Sequence, residues 1–299
     1  MNKPKFFMMV GLVASGKSYH AKELAKEYNA EVFSSDELRI ELFGDVNHQA
    51  DNNKLFIELH RRIKDCLRSG KSAIFDATNL NYKRRMAFLA ELKNIPCEKI
   101  CVVMATPYEE CLKRNAERER KVPEEVIKRM YMSWTCPYWY EGWNDIIVEY
   151  SGYENFYGDP YENVVVKYKS YNQNNSHHIN TLGDHCKNTF TQLIGETPHI
   201  AWAGLVHDCE KPFCATYTNK KGEVTSECHY YSHQFCSSYS ALFYNYGGTN
   251  PIDVAILVLW HMQPYFNKEE KTKNKYKKLL GENLHNDLIK LHMADKNSH

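Results

Sequence analysis

Along the first half of the chain, short continuous apolar runs alternate with segments whose apolar residues recur at helical spacing. Phe6–Val10 is apolar throughout, as expected of a strand buried on both faces. Ala30–Ser34, Ser72–Asp76, Ile100–Met104 and Asp145–Glu149 are further strand candidates. Between them, Ala21, Leu24, Ala25 and Tyr28 fall on one helical face, as do Leu55, Leu59 and Ile63, and Pro123 opens a helix over Glu124–Trp134. Alternating β and α segments predict a doubly wound parallel sheet.

The pattern changes near the polar run Tyr171–Ser176. Beyond it the periodicities are helical, over His178–Leu193, Ile200–Asp208, Ser232–Tyr244, Ile252–Met262 and Leu284–Ala294. The chain thus divides into an α/β domain over 1–168 and an all-α domain over 169–299. The lysine-rich stretch Lys268–Lys278 reads as a solvated loop. Trp134, Trp139 and Trp143 read as core and boundary packing rather than base-stacking rings.

Composition narrows the class. The apolar share is 43% and the charged share 25%, so wholesale disorder is excluded. No run of about 18 uncharged apolar residues predicts a membrane span, and the first apolar run is too short for a secretory leader. Ten cysteines without a Cys-x-x-Cys pair suggest reduced thiols and a cytoplasmic location. The charge is balanced, with 38 basic and 37 acidic residues, and does not advertise nucleic-acid binding. Histidine is skewed: 11 of the 14 lie from His177 onward, which points to separate chemistry in the second half.

The first apolar run leads into Gly11-Leu12-Val13-Ala14-Ser15-Gly16-Lys17-Ser18, which fits G-x-x-x-x-G-K-[ST]. Gly11, Ser15 and Gly16 let backbone N–H groups turn in around phosphates. Lys17 adds a charge at the β/γ-phosphates of ATP, and the Ser18 hydroxyl suits Mg²⁺. A strand before and an amphipathic helix after favour this reading over an incidental glycine turn. Asp36, just past the second strand, can accept a proton from an attacking hydroxyl, or can simply cap the next helix. Arg39 lies one turn on and can fork onto an acceptor phosphate. Asp76 ends the third strand. Arg114, Arg118 and Arg120 crowd a predicted helix–loop–helix lid able to bring positive charge onto a transferring phosphoryl group.

Ser35-Asp36-Glu37-Leu38-Arg39, Asp76-Ala77-Thr78-Asn79-Leu80 followed by Arg84-Arg85, and Lys113-Arg114-Asn115…Arg118…Val122-Pro123 together resemble the phage-type 5′-OH polynucleotide kinase family over Phe6 to Trp134. The resemblance implies ATP and Mg²⁺ as cofactors. It implies Asp36 as general base, Arg39 as ligand of the acceptor's 3′-phosphate, Asp76 as a supporting carboxylate and Arg118 as the lid arginine on ATP, with Arg114 a second lid candidate. One departure is Leu-Val-Ala-Ser inside the loop, where the family more often has Pro-Gly-Ser or Pro-Ala-Ser. It is expected to affect loop rigidity.

In the second half, His261 shares an apolar helical face with Val254, Leu257 and Val258, and Asp295 shares one with Leu288 and Leu291. Polar groups on apolar faces need partners, and a divalent metal is a good one: imidazole with carboxylate suits Mn²⁺, Fe²⁺, Co²⁺, Ni²⁺ or Zn²⁺. The order His185…His207-Asp208…His233…His261…Asp295 resembles the HD phosphohydrolase superfamily over about Ser176 to Asp295, with Cys209-Glu210-Lys211 where Ile-Gly-Lys is usual. The resemblance implies His185, His207, Asp208 and Asp295 as primary metal ligands, Asp208 also as catalytic, and His233 and His261 as completing a second position. His178 rivals His185, seven residues away on a supposed common helix.

The combined expectation is an α/β P-loop kinase domain with a helical lid followed by an all-α HD domain. The expected function is healing of nucleic-acid ends, RNA ahead of DNA, by 5′-phosphorylation and by hydrolysis of 3′-phosphate or 2′,3′-cyclic phosphate. The alternatives are a small-molecule kinase joined to a nucleotidase, and a nucleotide sensor without turnover.

Overall fold

The computed structural model describes residues 3–152, 157–176, 178–266 and 269–298. His177 and Lys268 lie outside them. By its contacts the chain forms two units, one of Met1–Ile127 with Pro137–Tyr153, the other of Lys128–Cys136 with Glu154–His299.

The first unit is built on five parallel strands. Its elements are β1 (Lys5–Val10), α1 (Lys17–Tyr28), β2 (Glu31–Ser34), α2 (Ser35–Phe43), α3 (Asn52–Arg68), β3 (Ala73–Asp76), α4 (Tyr82–Glu91), β4 (Glu98–Ala105), α5 (Tyr108–Glu117), the start of α6 (Glu124–Tyr131) and β5 (Asp145–Tyr150). The strand order is β2-β3-β1-β4-β5. All five expected strands are present, within one or two residues at their ends. Both faces of β1 are covered, which is why its sequence does not alternate: Phe7 and Met9 pack with Ala21, Leu24 and Met104, while the Phe6 ring meets Phe88 at 5.5 Å. Helix α3 buries Leu55, Leu59 and Ile63 at the predicted spacing. Register pairs Ser34 with Asp76, so the carboxyl ends of β2 and β3 are level.

A fully buried ion pair braces the loop after β3. Arg85 Nε and Nη2 donate to the two Glu141 oxygens at 2.8 and 2.7 Å, Nη1 donates to the Asn79 carbonyl at 2.9 Å, and Trp143 Nε1 donates to Glu141. Arg85 thereby holds Asn79 in its left-handed conformation (φ 47°). Glu141→Ala leaves a buried guanidinium without its anion and is expected to cost about 3–5 kcal/mol, read as a lowered denaturation midpoint at unchanged slope.

The second unit is mainly helical: α7 (Leu182–Gln192), α8 (Pro198–Val206), α9 (Lys211–Cys214), α10 (His233–Ser240), α11 (Pro251–Trp260), α12 (Gln263–Phe266), α13 (Glu270–Leu280) and α14 (Glu282–Lys296). Helix α11 is apolar all round because it is the buried centre of the bundle. Three expectations need correction. The unit is not all-α, since β6 (Thr216–Thr218) and β7 (Val224–His229) form an antiparallel hairpin; its β-branched residues flank an Asn219–Gly222 turn in a stretch too polar to register as a strand. The lysine-rich stretch is helix α13, because long straight side chains favour helix even when solvated. Helix α7 starts at Leu182, with Thr181 Oγ1 accepting from the Asp184 N–H, so His178 precedes it and shares no helical face with His185. Trp134 is buried against Tyr239, and Trp143 is buried in the first unit, as expected, whereas Trp139 is 44% exposed. All ten cysteines are free thiols. Among the described residues, no helix is long and apolar enough to cross a membrane.

Candidate functional site

The loop between β1 and α1 is the first site. A Cβ at Gly11 would stand 2.7 Å from Ser15 Oγ and 3.1 Å from the Met104 carbonyl oxygen, so only glycine lets the chain turn there. Gly16 takes φ +93° and, having no side chain, cannot cap α1, which leaves the first N–H groups of the helix available to an anion. Thr106 Oγ1 donates to the Ser15 carbonyl at 2.9 Å and ties the loop to the end of β4. Ala14, inside the departing Leu-Val-Ala-Ser stretch, sits at φ 62°, a left-handed position that strains any residue with a Cβ. Lys17 is buried; its ammonium donates to the Leu12 carbonyl at 2.5 Å and to Ser15 Oγ at 3.4 Å. Burial lowers its pKa, and Asp76 opposes that fall. Ser18 is exposed at the start of α1.

Asp36 lies in the first turn of α2 and does not cap it; Ser34 Oγ accepts the Glu37 N–H instead. The capping alternative for Asp36 is thereby removed, and its carboxylate is engaged elsewhere. Arg120 Nη1 donates to Asp36 Oδ2 at 2.9 Å, while the same guanidinium also reaches Asn47 and the Val46 carbonyl. Arg39 Nη1 is 3.7 Å from Asp36 Oδ1. Arg39 is buried and largely committed: Nε donates to the His48 carbonyl and Nη2 to Asn52 Oδ1. It shapes the α2–α3 loop and orients Asp36. Arg114 pairs with Glu110, donates to Ser151 Oγ, and stands about 4 Å from the space beside Gly16. Arg118 is exposed, and its charge reaches Lys17. The contact of Arg120 with Asp36 is what sequence reasoning missed; as the third arginine in a crowded charged run, it carried no signal of its own.

If Asp36 is a proton acceptor, Asp36→Asn, which disturbs no cap, should lower the rate of phosphoryl transfer about 10²–10⁴-fold at unchanged ATP affinity. An unchanged rate in folded protein would leave Asp36 a partner of Arg120 only.

The second site lies wholly in the helical unit. His207 and Asp208 follow the end of α8, His185 sits on α7, His233 begins α10, His261 follows α11, and Asp295 is on α14. All six are buried. Their Nδ1 atoms turn outward to backbone carbonyls: His185 to Ser298, His207 to Gly204, His233 to Tyr230 and His261 to Val258, at 2.7–3.2 Å. Three of these carbonyls lie three residues upstream of their own histidine. With Nδ1–H donating, each Nε2 presents a lone pair inward. His185 and His207 Nε2 are 3.1 Å apart, and His233 and His261 Nε2 are 3.2 Å apart. Asp208 lies between the pairs: Oδ2 is 3.3 and 3.2 Å from His185 and His207, and Oδ1 is 3.2 and 3.7 Å from His233 and His261. Asp295 Oδ1 adds to the first pair at 3.2 and 3.4 Å. Asp208 Oδ1 is buried with no hydrogen-bond donor.

Converging acceptors with an orphaned carboxylate oxygen need cations or protons. Two groups of donor atoms close enough for one ion each share Asp208: His185, His207 and Asp208, and Asp208, His233 and His261. The donor set fits a divalent metal. The proton form is also visible in the charges. Burial opposes protonation of His207, but Asp208 and Asp295 outweigh it and push its pKa up to about 10. Burial, with His207 and His233 nearby, takes His261 down to about 3. Burial would raise Asp208 and Asp295, yet His207, with Lys211 for Asp208 and His185 for Asp295, holds both well below the usual range.

The pH consequence has a definite sign. His207 stabilises the metal-free fold fully below about pH 6.5 and loses that contribution as pH rises through 10. The two aspartates contribute above about 3.8 and lose it on acidification through their lowered values. A divalent ion must displace the His207 proton, so uptake should release protons and tighten as pH rises. Calorimetry in two buffers of different ionisation enthalpy measures this; zero proton release would show that His207 is not displaced.

Lys211 Nζ donates to Asp208 Oδ2 at 2.7 Å, to Gln173 Oε1 at 2.8 Å and to His178 Nε2 at 3.0 Å. His178 therefore reaches the cluster through Lys211, while His185 touches it directly. Tyr265 donates to Asp295 Oδ2 at 3.0 Å. Neither Gln173 nor Tyr265 was marked by spacing or motif.

A five-stranded parallel sheet of order β2-β3-β1-β4-β5, with a glycine-bounded Lys-Ser loop after its central strand, defines a P-loop kinase-like α/β fold. Residues 6–137 match the family described as AAA domain. An L-seryl-tRNA(Sec) kinase from Methanococcus maripaludis is 34% identical over 89 residues, 29% of this chain and 35% of that protein. The chain thus spans about a third of the length of that curated relative. Among solved structures, the Pnkp1/Rnl/Hen1 RNA repair complex aligns with TM-score 0.38 and 22% identity, over 44% of this chain and 43% of the other. The APS kinase CysC of Mycobacterium tuberculosis, in complex with AMPPNP and APS, aligns with TM-score 0.38 and 17% identity, over 50% and 90%.

Proposed function

We propose that the chain is a two-site enzyme of nucleic-acid ends, RNA ahead of DNA. The α/β domain transfers the γ-phosphoryl group of ATP to a 5′-hydroxyl. The helical unit is an HD-type phosphohydrolase that removes a 3′-phosphate or opens a 2′,3′-cyclic phosphate. The second half of the reading is carried by the two pairs of inward Nε2 atoms around the donor-less Asp208 Oδ1.

In the first reaction the hydroxyl oxygen bonds to the γ-phosphorus, the bond to the β–γ bridging oxygen breaks, ADP leaves, and the hydroxyl proton passes to Asp36. Arg120 donates to Oδ2 of Asp36, which leaves Oδ1 to take the proton. Lys17 and the N–H groups of α1 take the β- and γ-phosphate charge, and the Ser18 hydroxyl would hold Mg²⁺. Arg114 and Arg118 would neutralise the phosphoryl group on closure of the lid. The RNA acceptor in the name of the seryl-tRNA kinase relative supports a hydroxyl carried on RNA.

In the second reaction His185, His207, Asp208 and Asp295 would hold one ion, and Asp208, His233 and His261 another. A divalent ion at such a set activates water for attack on phosphorus. Lys211 keeps Asp208 ionised and aligned, and Tyr265 fixes Asp295.

A small-molecule acceptor is the second reading for the kinase site, favoured by the commitment of Arg39 to His48 and Asn52, which leaves it little capacity for a polynucleotide phosphate. One experiment tests both halves. The protein is incubated with ATP, Mg²⁺ or Mn²⁺ and an oligoribonucleotide bearing a 5′-hydroxyl and a 3′-phosphate, and each end is followed separately. Gain of 5′-phosphate and loss of 3′-phosphate are expected. A 5′ end that stays unmodified while nucleosides are phosphorylated would favour the small-molecule reading. Retention of the 3′-phosphate and of a cyclic-phosphate substrate with every metal would overturn the hydrolase.

A further inference from the structure

The reading above leaves unused a cavity of about 370 Å³ in the helical unit, between α12, α13 and α14. It has the size of a small-ligand site and is mostly apolar with a few polar groups, the usual make-up of such sites. Leu288 and Ile289 form one wall, and Tyr276, whose ring packs 5.6 Å from that of Trp260, forms another. Gln263, His285 and His292 supply the polar lining, and the exposed Lys273 also lines it. The His292 Nδ1 is buried and has no hydrogen-bond partner. The outer helix, α13, carries five lysines against one glutamate. That basic helix was left without a role by the catalytic reading.

We infer that this cavity binds a single nucleotide unit, its planar base between Tyr276 and the Leu288–Ile289 wall and its phosphate at Lys273. Each part of the ligand answers a feature of the lining. The apolar walls and the tyrosine ring suit a flat aromatic heterocycle. A base edge carries both donors and acceptors and suits the polar side chains among the lining residues, Gln263, His285 and His292. The lysine-rich helix suits the phosphate. An aliphatic ligand would leave the polar lining and the basic helix unanswered, and a free inorganic phosphate would leave the apolar walls empty.

The cavity is one side chain from the histidine cluster. Tyr265 meets the His292 ring edge-on at 4.4 Å between centroids, and its hydroxyl donates to Asp295. A nucleotide in contact with His292 is therefore linked to the carboxylate beside His185 and His207. Binding in the cavity does not require turnover at the cluster, so the inference goes beyond the proposed phosphohydrolase and stands or falls separately from it.

The nucleotide unit can arrive free or as one residue of a strand. Titration calorimetry on the full chain carrying Lys17→Ala, which silences the ATP loop, uses adenosine 5′-monophosphate in one arm and an oligoadenylate hexamer with hydroxyl ends in the other. Binding in the first arm identifies a free nucleotide, and binding in the second alone identifies a strand; either supports the inference if the cavity variants remove it. Ile289→Trp, which fills the cavity, should abolish binding, and Lys273→Glu should weaken it at least about tenfold. Tyr276→Ala supplies a variant that adds no bulk if Ile289→Trp does not fold. Metal content, measured on the same samples, should not change. Affinity indifferent to Lys273→Glu and Tyr276→Ala, or no heat in either arm, would overturn the inference.

Discussion

Asp208→Ala is expected to strip divalent metal from the helical unit and abolish its phosphate hydrolysis while leaving ATP-dependent transfer intact. Asp208 is the one side chain common to both candidate metal groups. Its two oxygens face two separate histidine pairs, so its loss removes an anion from each. Removing only an outer partner of a metal ligand costs about 10–100-fold in affinity or activity, so deleting the shared ligand should exceed about 100-fold. The variant also leaves the buried Lys211 ammonium without its carboxylate. A stability loss of about 3–5 kcal/mol is therefore expected alongside. Asp208→Asn keeps the shape and separates the two effects. Metal content by mass spectrometry and hydrolysis per folded molecule are the readouts. His233→Ala should do less harm than Asp208→Ala if one ion suffices and equal harm if two are needed. A folded Asp208→Ala protein that retained stoichiometric metal would end the assignment.

Lys17→Ala has the largest expected effect on the α/β domain. The ammonium is the only cation among the described residues held inside the loop itself, bonded to Leu12 and Ser15 in the structure. On binding ATP it must exchange those weak neutral partners for phosphate oxygens, which are charged acceptors and make stronger bonds. Loss of one such group typically costs about 10²–10³-fold in rate, and a full charge at the transferring phosphate should be at the upper end. Phosphoryl transfer followed with labelled ATP measures this. Hydrolysis in the helical unit should be unchanged. If both activities disappear from a folded variant, two independent sites are excluded.

Much of this arrangement was legible along the chain because it depends on local patterns. A strand buried on both faces must be continuously apolar, as Phe6–Val10 and Ile100–Met104 are, and the three shorter apolar runs bounded by polar residues supplied the other strands of the sheet. The phosphate loop is a contiguous motif whose glycines answer local steric demands, visible at Gly11 and Gly16. Among the six cluster residues, His261 and Asp295 were marked by standing on apolar helical faces, where a histidine or aspartate is costly without a partner; the set as a whole rested on the resemblance to the HD superfamily.

What remained hidden depends on which distant residues meet. Arg120 is one arginine in a charged run until the fold sets it on Asp36. Arg39, free to bind phosphate by its position one turn past Asp36, is drawn instead to His48 and Asn52. Arg85 and Glu141, far apart in sequence, become a buried pair by way of the fold alone. The hairpin and helix α13 escaped because polar segments carry little hydrophobic periodicity.

Residue types and short-range order determined the parallel sheet and the phosphate loop, and the resemblance of the histidine–aspartate order to the HD superfamily supplied the six cluster candidates. Only tertiary structure decided that four imidazoles turn their Nδ1 atoms to backbone carbonyls, aim Nε2 inward and share the two oxygens of Asp208. The reason is physical: burial and hydrogen-bond supply are properties of a three-dimensional neighbourhood, and a lone pair becomes an unmet demand only when every nearby group is also an acceptor.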